Sequence, residues 1–190
     1  DECHPELAPG IYVMKTLYLR KLIEEAEAYN LDSFTMLLLK NCKSSNYRTY
    51  KYNGFFASVS SFLDYYKYSM ELATNEKARE SLLGRKEAPI YTRVHNSAPT
   101  MHTSSAKVEN SLIADECVIE GTVINSVIFR DVKIEKGAVV KNCVLFHGSH
   151  VGKNANLNCI VADKDVYISD GVTLSGNDNL PFYIQKGRKI

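Results

Sequence analysis

The chain has 190 residues, of which 45% are hydrophobic and 24% are charged, and its formal net charge is +1. This length suits one large domain or two small ones, and it is sufficient to bury a substantial core. The nearly neutral charge balance argues against a nucleic-acid-binding protein or a polybasic membrane-binding protein. No apolar run approaches the roughly 18 residues that span a bilayer.

The five cysteines form no C-x-x-C pair, and their odd number argues against a disulfide framework. We expect free, mostly buried thiols in a reducing compartment, and therefore a cytoplasmic location. No two glycines are placed as G-x-G, so the sequence contains no Rossmann, Walker or kinase-type nucleotide loop. The chain begins with Asp1 rather than Met, and we expect it to be a piece of a longer protein.

The first half has the periodicities of a mixed α/β fold. An apolar run at residues 10–14 predicts a buried strand, and alternation over residues 47–52 predicts another. Apolar residues at helical spacing predict a helix over residues 17–29, with Thr16 as its cap, and a second helix over residues 33–39.

A third helix is predicted to begin at Ser61, which forms a capping-box-like start with Asp64. One side of it carries a largely aromatic stripe that we assign to the core rather than to ligand binding: Phe62, Tyr65, Tyr66, Ser69, Met70 and Ala73. A short helix over residues 76–83 should end at Gly84 as a C′ glycine. Residues 85–106 lose all periodicity, which indicates a linker.

Aliphatic residues recur every six positions in the second half, and a small or β-branched residue follows four positions after most of them. The predicted inward positions are Ile113, Ile119, Ile128, Ile134, Val140, Phe146, Val151, Leu157, Ile168 and Leu174. This fixed short period is typical of a parallel β-helix, in which three strand-plus-turn units close one triangular coil. We predict roughly three to four coils of about 18 residues. Their exposed edge strands favour a subunit interface.

Segments that occur in a fixed order along the chain carry a resemblance to a known family. They are Gly10-Ile-Tyr-Val, Gly54-Phe-Phe-Ala-Ser-Val-Ser-Ser, Ala88-Pro-Ile-Tyr-Thr, Val108-Glu-Asn-Ser-Leu, Val118-Ile-Glu-Gly-Thr-Val, Ser126-Val-Ile-Phe, Lys136-Gly-Ala-Val-Val and Pro181-Phe-Tyr-Ile-Gln-Lys-Gly. Together they resemble the C-terminal half of bacterial glucose-1-phosphate adenylyltransferase (ADP-glucose pyrophosphorylase), and especially its GlgD-type regulatory subunits of glycogen biosynthesis. The resemblance covers nearly the whole chain.

This resemblance implies the end of a nucleotidyltransferase-like α/β domain at residues 1–84, a linker at 85–106 and a left-handed parallel β-helix at 107–190. The family converts ATP and glucose 1-phosphate to ADP-glucose and pyrophosphate with Mg²⁺. Its solenoid domain contributes to tetramer assembly and allosteric control. The family's glycine-rich nucleotide loop belongs to an N-terminal portion that is missing from this chain.

Two departures from the family pattern bear on activity. Catalytic members have W-x-D-V-G-T where this chain has Phe-Ala-Ser-Val-Ser-Ser, so Ser58 replaces the aspartate that ligates the metal. A neutral hydroxyl cannot replace a carboxylate opposite Mg²⁺, which is a hard cation. Catalytic members also have S-M-G-I-Y where this chain has Ala-Pro-Gly-Ile-Tyr, so Ala8 lacks the hydroxyl that helps to hold the sugar phosphate.

These departures imply a non-catalytic or poorly catalytic regulatory subunit that holds no metal or cofactor of its own. Its expected partner is a catalytic, Mg²⁺-dependent adenylyltransferase subunit, in a hetero-oligomer expected to be a tetramer. Arg93 lies within the basic linker, and Lys107 directly follows it. Because the family binds anionic effectors near its domain junction, the two residues are candidates for binding an anionic metabolite, although a solvated linker has the same composition.

His147 and His150 form an H-x-x-H pair without a third ligand at suitable spacing, so we favour exposed turn histidines over a metal or catalytic site. Two alternatives to a regulatory subunit stay open. One is a hexapeptide-type acyltransferase, which would place a catalytic histidine at a subunit groove. The other is a purely structural solenoid.

Overall fold

Four helices precede the solenoid in this computed structural model, which describes residues 10–43, 46–93 and 96–190. They are α1 (Thr16–Tyr29), α2 (Phe34–Asn41), α3 (Phe62–Thr74) and α4 (Glu76–Leu83). All four lie where the periodicity predicts them. Helix α3 begins as expected, because the Ser61 side chain accepts a 3.1 Å hydrogen bond from the backbone N–H of Asp64.

Two predicted helix ends are wrong. Helix α1 has Lys15 at its N-cap with no side-chain cap, and Thr16 is already helical. Gly84 follows α4 with a φ of −80°, which is right-handed, so it is not the left-handed C′ glycine that the sequence indicated.

Neither of the strands predicted in the first half forms. Residues 10–14 and 47–52 are outside any strand, and no strand occurs among the described residues before Met101. The apolar alternation at these positions is local, whereas a strand also requires a neighbour that pairs with it. The described part of the first half supplies no such neighbour.

The solenoid consists of short parallel strands from Met101 onward. In chain order they are β1 (Met101–His102), β2 (Lys107–Glu109), β3 (Leu112–Ile113), β4 (Val118–Ile119), β5 (Thr122–Ile124), β6 (Val127–Ile128), β7 (Lys133–Ile134), β8 (Val139–Lys141), β9 (Val144–Leu145), β10 (His150–Val151), β11 (Asn156–Asn158), β12 (Ile160–Ala162), β13 (Tyr167–Ile168), β14 (Thr173–Ser175) and β15 (Phe182–Ile184).

Three parallel sheets of five strands each form the sides of the prism. Sheet A has the order β1-β4-β7-β10-β13, sheet B the order β2-β5-β8-β11-β14, and sheet C the order β3-β6-β9-β12-β15. This arrangement is the left-handed parallel β-helix of hexapeptide-repeat proteins, as predicted. The inward residues stack in register along each sheet, and their core is almost completely buried.

One predicted inward position, Phe146, is wrong. Leu145 fills the prism instead, in register with Ile128 of the preceding coil, and it is fully buried. The spacing predicts six positions per unit, but only five separate the inward Val140 of sheet B from Leu145 of sheet C. Equivalent corner residues are consequently 17 positions apart, as Asn125 and Asn142 are, rather than 18.

Asparagines build the corner between sheets B and C, because the chain adopts a left-handed conformation there. Asn110, Asn125 and Asn142 have φ values of 44°, 47° and 51°, which asparagine tolerates better than most residues. Asn142 also donates a 3.0 Å hydrogen bond from its side-chain amide to Asn158 Oδ1. The amide ladder therefore links successive coils at this corner.

The chain divides into two compact units, Asp1–Asn53 and Gly54–Ile190. The first contains α1 and α2, and the second contains α3, α4 and the whole solenoid. The predicted division into segments 1–84, 85–106 and 107–190 stays a prediction. Strand β1 lies within the segment predicted to be a linker.

Candidate functional site

Helix α3 packs against the outer face of sheet C, where Val127 of β6, Val144 of β9 and Val161 of β12 point away from the prism. Tyr66 of α3 is buried in a cluster with Val144, Cys159 and Val161. Its hydroxyl donates a 2.9 Å hydrogen bond to the backbone carbonyl of Asn142. Burial raises the pKa of Tyr66, so the phenol stays neutral. The assignment of the aromatic stripe to a core is thus correct for Tyr66.

A groove of about 250 Å³ lies between the start of α3 and the solenoid, lined by Phe62, Tyr65, Phe146, Val161, Asp163 and Tyr183. Its four aromatic rings contact one another in two pairs. Tyr65 stacks on Phe146 with ring centroids 6.1 Å apart, and Phe62 meets Tyr183 edge-on at 5.7 Å. The groove is therefore built from residues of this chain alone.

One carboxylate, that of Asp163, stands in the wall of this groove. Its Oδ2 accepts a 2.9 Å hydrogen bond from the Tyr183 hydroxyl, and its Oδ1 accepts one of 2.7 Å from the Lys164 backbone N–H. These two hydrogen bonds, the one from Lys164 most strongly, lower the pKa of Asp163, while the same carboxylate raises the pKa of Tyr183. Asp163 is therefore ionised and fixed in orientation at neutral pH.

Ser58 lies on the exposed segment that leads into α3. The neighbouring hydroxyls of Ser60 and Ser61 form hydrogen bonds at the start of α3. The Ser60 hydroxyl donates a 2.9 Å hydrogen bond to Asp64 Oδ2, and the Ser60 backbone N–H donates another to the same oxygen. The Ser61 hydroxyl accepts a hydrogen bond from the Asp64 backbone N–H and so caps the helix. Hydrogen bonds from Ser61 and then Ser60 lower the pKa of Asp64.

The described residues contain no group of three or more His, Cys, Asp or Glu that could hold a metal ion. Ala8 lies outside the described residues.

The two candidate effector residues, Arg93 and Lys107, are both exposed. Arg93 is in an irregular segment, and Lys107 begins β2, where it pairs with Thr122 of the next coil. Its neighbour Val108 is in register with the inward Val123, so Lys107 points outward from sheet B.

The structure separates the two histidines of H-x-x-H. His147 is an exposed turn residue, as predicted, whereas His150 lies on the outer face of sheet A. His150 Nε2 is 3.1 Å from Glu135 Oε1, and its ring lies 4.7 Å from that of Tyr167 in the next coil. Lys133 also contacts Glu135, at 2.9 Å, which raises the pKa of Lys133 and lowers that of Glu135.

Each cysteine that the structure describes is a free thiol, in agreement with the prediction. Cys117, Cys143 and Cys159 are buried, and Cys42 is exposed. Burial raises the pKa of Cys143 to about 12, so this thiol is unreactive at neutral pH. Cys3 lies outside the described residues.

The aromatic groove was not predicted from the sequence. The helical spacing predicts that Phe62 and Tyr65 face the core, the six-residue period predicts that Phe146 points into the prism, and no pattern marks Asp163 or Tyr183. A signal was present in the five-residue spacing between Val140 and Leu145, because it turns the next residue, Phe146, outward towards α3.

Comparison with known proteins agrees with the fold and with the family resemblance. Residues 95–180 match the family model described as GlmU-like, C-terminal hexapeptide. The glycogen biosynthesis protein GlgD of Bacillus subtilis (strain 168) is 32% identical over 177 residues, which is 93% of this chain and 51% of GlgD. The predicted resemblance is confirmed.

Relatives named glucose-1-phosphate adenylyltransferase have similar coverage. The protein of Bacillus cytotoxicus is 29% identical and that of Bacillus anthracis 28% identical, each over 175 residues, which is 90% of this chain and 46% of the relative. The chain thus spans about half the length of GlgD and of the adenylyltransferases that it matches.

In the described part of the chain, no helix combines the length and the apolar character needed to cross a membrane.

Proposed function

We propose that this chain acts in ADP-glucose synthesis for glycogen as a regulatory and assembly subunit that is not itself catalytic. The proposal is supported by similarity that extends over 93% of the chain to GlgD and over 90% to glucose-1-phosphate adenylyltransferases. That similarity includes both the helices and the solenoid, whereas a solenoid alone would be shared by proteins of many functions.

The observation that carries the non-catalytic assignment is Ser58. By resemblance, catalytic members of the family have a metal-binding aspartate at this position. A serine hydroxyl offers no charge to Mg²⁺, and the nearby carboxylate of Asp64 accepts two hydrogen bonds from Ser60 at the start of α3. The local carboxylate therefore has a structural role, and the Mg²⁺ chemistry is assigned to a catalytic partner subunit.

A turnover assay tests this assignment. The purified full-length protein that contains this chain is supplied with ATP, glucose 1-phosphate and Mg²⁺, and ADP-glucose and pyrophosphate are measured. We expect no product above the enzyme-free control. Turnover at ordinary enzyme rates, on the order of 1–10³ s⁻¹, would contradict it.

The solenoid supports the assembly role because most terminal strands of its sheets have no partner strand on their outer edge among the described residues. These strands are β1 in sheet A, β2 and β14 in sheet B, and β3 and β15 in sheet C, whereas the outer edge of β13 is hydrogen-bonded to residues 188–190. Such edges are available for pairing with another chain. We propose a hetero-oligomer, with a tetramer as the expected state. Light scattering of the mixture with a catalytic subunit tests it, and a mixture that elutes only as separate components would contradict it.

Regulation by an anionic metabolite is assigned to Arg93 and Lys107, which are exposed and basic. Replacing both with alanine should raise the effector concentration needed for half-maximal response of the mixed enzyme. Lys141 is the matched control, because it is exposed on the outer face of the same sheet B. An unchanged effector response in the double variant would remove the assignment.

A further inference from the structure

The groove between α3 and sheet C has an unusual combination of linings. Besides Val161, its wall comprises four aromatic side chains and the carboxylate of Asp163, and none of the basic side chains that the structure describes contributes to it. The faces of aromatic rings attract cations, and so does an ionised carboxylate. Both polar and apolar parts of the wall thus favour a ligand that is flat, partly apolar and positively charged.

Two hydrogen bonds orient the carboxylate of Asp163. The Tyr183 hydroxyl binds Oδ2 and the Lys164 backbone N–H binds Oδ1, and each oxygen retains a further lone pair that can accept a hydrogen bond. Tyr183 is in turn positioned by its edge-on contact with Phe62. The same residue therefore orients the carboxylate and supplies part of the aromatic wall.

We propose that this groove binds the guanidinium group of an arginine side chain presented by another polypeptide. A guanidinium stacks on aromatic rings and forms paired hydrogen bonds with a carboxylate, which a lysine ammonium does less well. The volume of about 250 Å³ is below the range of roughly 300–1,000 Å³ for small-molecule sites, but it accommodates one long side chain. The inference rests on the groove alone and is independent of the proposed role in ADP-glucose synthesis.

The exposure of the rim favours a polypeptide as the carrier of the arginine. Phe62 is 43% exposed and Tyr183 is 47% exposed, so the outer parts of both rings stay in water when only a side chain fills the groove. A main chain that crosses the rim would cover them. Central aromatic anchors surrounded by a covered rim are typical of protein interfaces.

Lys164 and Lys186 act against the binding of a cation. Both are exposed, and both interact with Asp163 closely enough to contribute to its lowered pKa, although neither lines the groove. Their positive charge partly offsets that of Asp163. Removing the charge of Lys186 should therefore strengthen the binding of an arginine, whereas it would weaken the binding of an acidic group.

The test uses NMR titrations that follow the backbone amides of Asp163 and Tyr183. The probes are the capped tripeptide Gly-Arg-Gly, two variants of it in which citrulline or glutamate replaces the arginine, and free argininamide. Citrulline is neutral and nearly isosteric with arginine. We expect a saturable shift with the arginine peptide, binding of the citrulline peptide that is about tenfold weaker, and no site-specific shift with the glutamate peptide.

Variants locate the binding group. Asp163→Asn should lower the affinity for the arginine peptide about tenfold, and Lys186→Met should raise that affinity about twofold. Asp165→Asn is the control, because asparagine tolerates the left-handed φ of 58° at this neighbouring corner. An unchanged amide resonance of Tyr66 verifies that each variant is folded.

Several outcomes would overturn the proposal. One is an equal affinity for the citrulline and arginine peptides, and another is saturable binding of the glutamate peptide at the groove. A third is an affinity for the arginine peptide that Asp163→Asn leaves unchanged. The absence of any saturable shift would overturn it too. Free argininamide that binds tighter than the capped peptide would identify a small-molecule site and would contradict a polypeptide ligand.

Discussion

The hydroxyl of Tyr66 donates a 2.9 Å hydrogen bond to the backbone carbonyl of Asn142, and this bond fixes helix α3 to a corner of the β-helix. Asn142 is the left-handed corner residue of its coil, so its carbonyl is not part of a regular strand. The helix therefore uses a backbone group that the corner leaves available. The contact links the sequence before the solenoid to the solenoid itself, within one compact unit.

Replacing Tyr66 with phenylalanine should lower the free energy of unfolding by about 1–3 kcal/mol, because the change leaves a half-buried carbonyl without its partner. Tyr66→Ala should cost more, about 3–5 kcal/mol, since it also removes a buried ring. Urea denaturation measures both. Tyr91→Phe is the control, because Tyr91 is 90% exposed and its replacement should change stability by less than about 0.5 kcal/mol. Equal stabilities of the Tyr66 and Tyr91 variants would show that the contact contributes nothing.

The neighbouring residues Leu145 and Phe146 should respond differently to truncation, because one lies inside the prism and the other outside it. Leu145→Ala should destabilise the solenoid by about 2–5 kcal/mol. Phe146→Ala should cost less, about 1–2 kcal/mol, and should mainly loosen α3, since Phe146 stacks on Phe129 and Tyr65. Hydrogen exchange of the α3 amides distinguishes the two effects. A larger loss of stability from Phe146→Ala would contradict the inward assignment of Leu145.

The solenoid was predictable from sequence because its signal is local and repeated, whereas the surroundings of α3 were not. Inward residues such as Ile134 and Val151 recur along the chain, and each repeat reinforces the same period. The period wrongly predicts Phe146 as an inward residue, because the five-residue spacing from Val140 to Leu145 breaks it. The groove also escaped prediction, because Phe62 and Tyr183 are far apart in sequence and only the fold brings them together.

The same distinction explains the first half. The sequence predicts helices such as α3 well, since a side-chain cap and helical spacing are local properties. The strands predicted at residues 10–14 and 47–52 depend on a pairing neighbour, which local alternation cannot supply. Candidate sites that rest on the family resemblance, such as Ser58, are not tested by geometry and stay predictions.

Asn142→Ala should destabilise the solenoid by about 1–2 kcal/mol, because it strains a φ of 51° and removes the side-chain hydrogen bonds to Asn125 and Asn158. Asn142→Gly retains the left-handed conformation without strain. It should therefore lose only the contribution of the amide ladder. Thermal unfolding of the two variants separates these effects, and an alanine variant as stable as the glycine variant would show that the conformation costs nothing.

The start of α3 should contribute a pH-dependent stability through Asp64. Since the folded-state pKa of Asp64 is lowered, this contribution is present above the unfolded-state pKa of about 4 and is lost as the pH falls through the folded-state value. The stability difference between the wild type and Asp64→Asn should therefore shrink below about pH 4. Urea midpoints measured from pH 7 to pH 3 check it, with Asp165→Asn as the control. A difference that is constant with pH would contradict the role of the ionised carboxylate.

Mixing the protein with a catalytic glucose-1-phosphate adenylyltransferase subunit, and following ADP-glucose formation as a function of the ratio of the two, tests the regulatory role most directly. We predict co-elution of the two chains and a change in substrate or effector response that saturates at a fixed ratio, with no turnover by this protein alone. Kinetics identical to those of the catalytic subunit at every ratio, or turnover by this protein without its partner, would contradict the account.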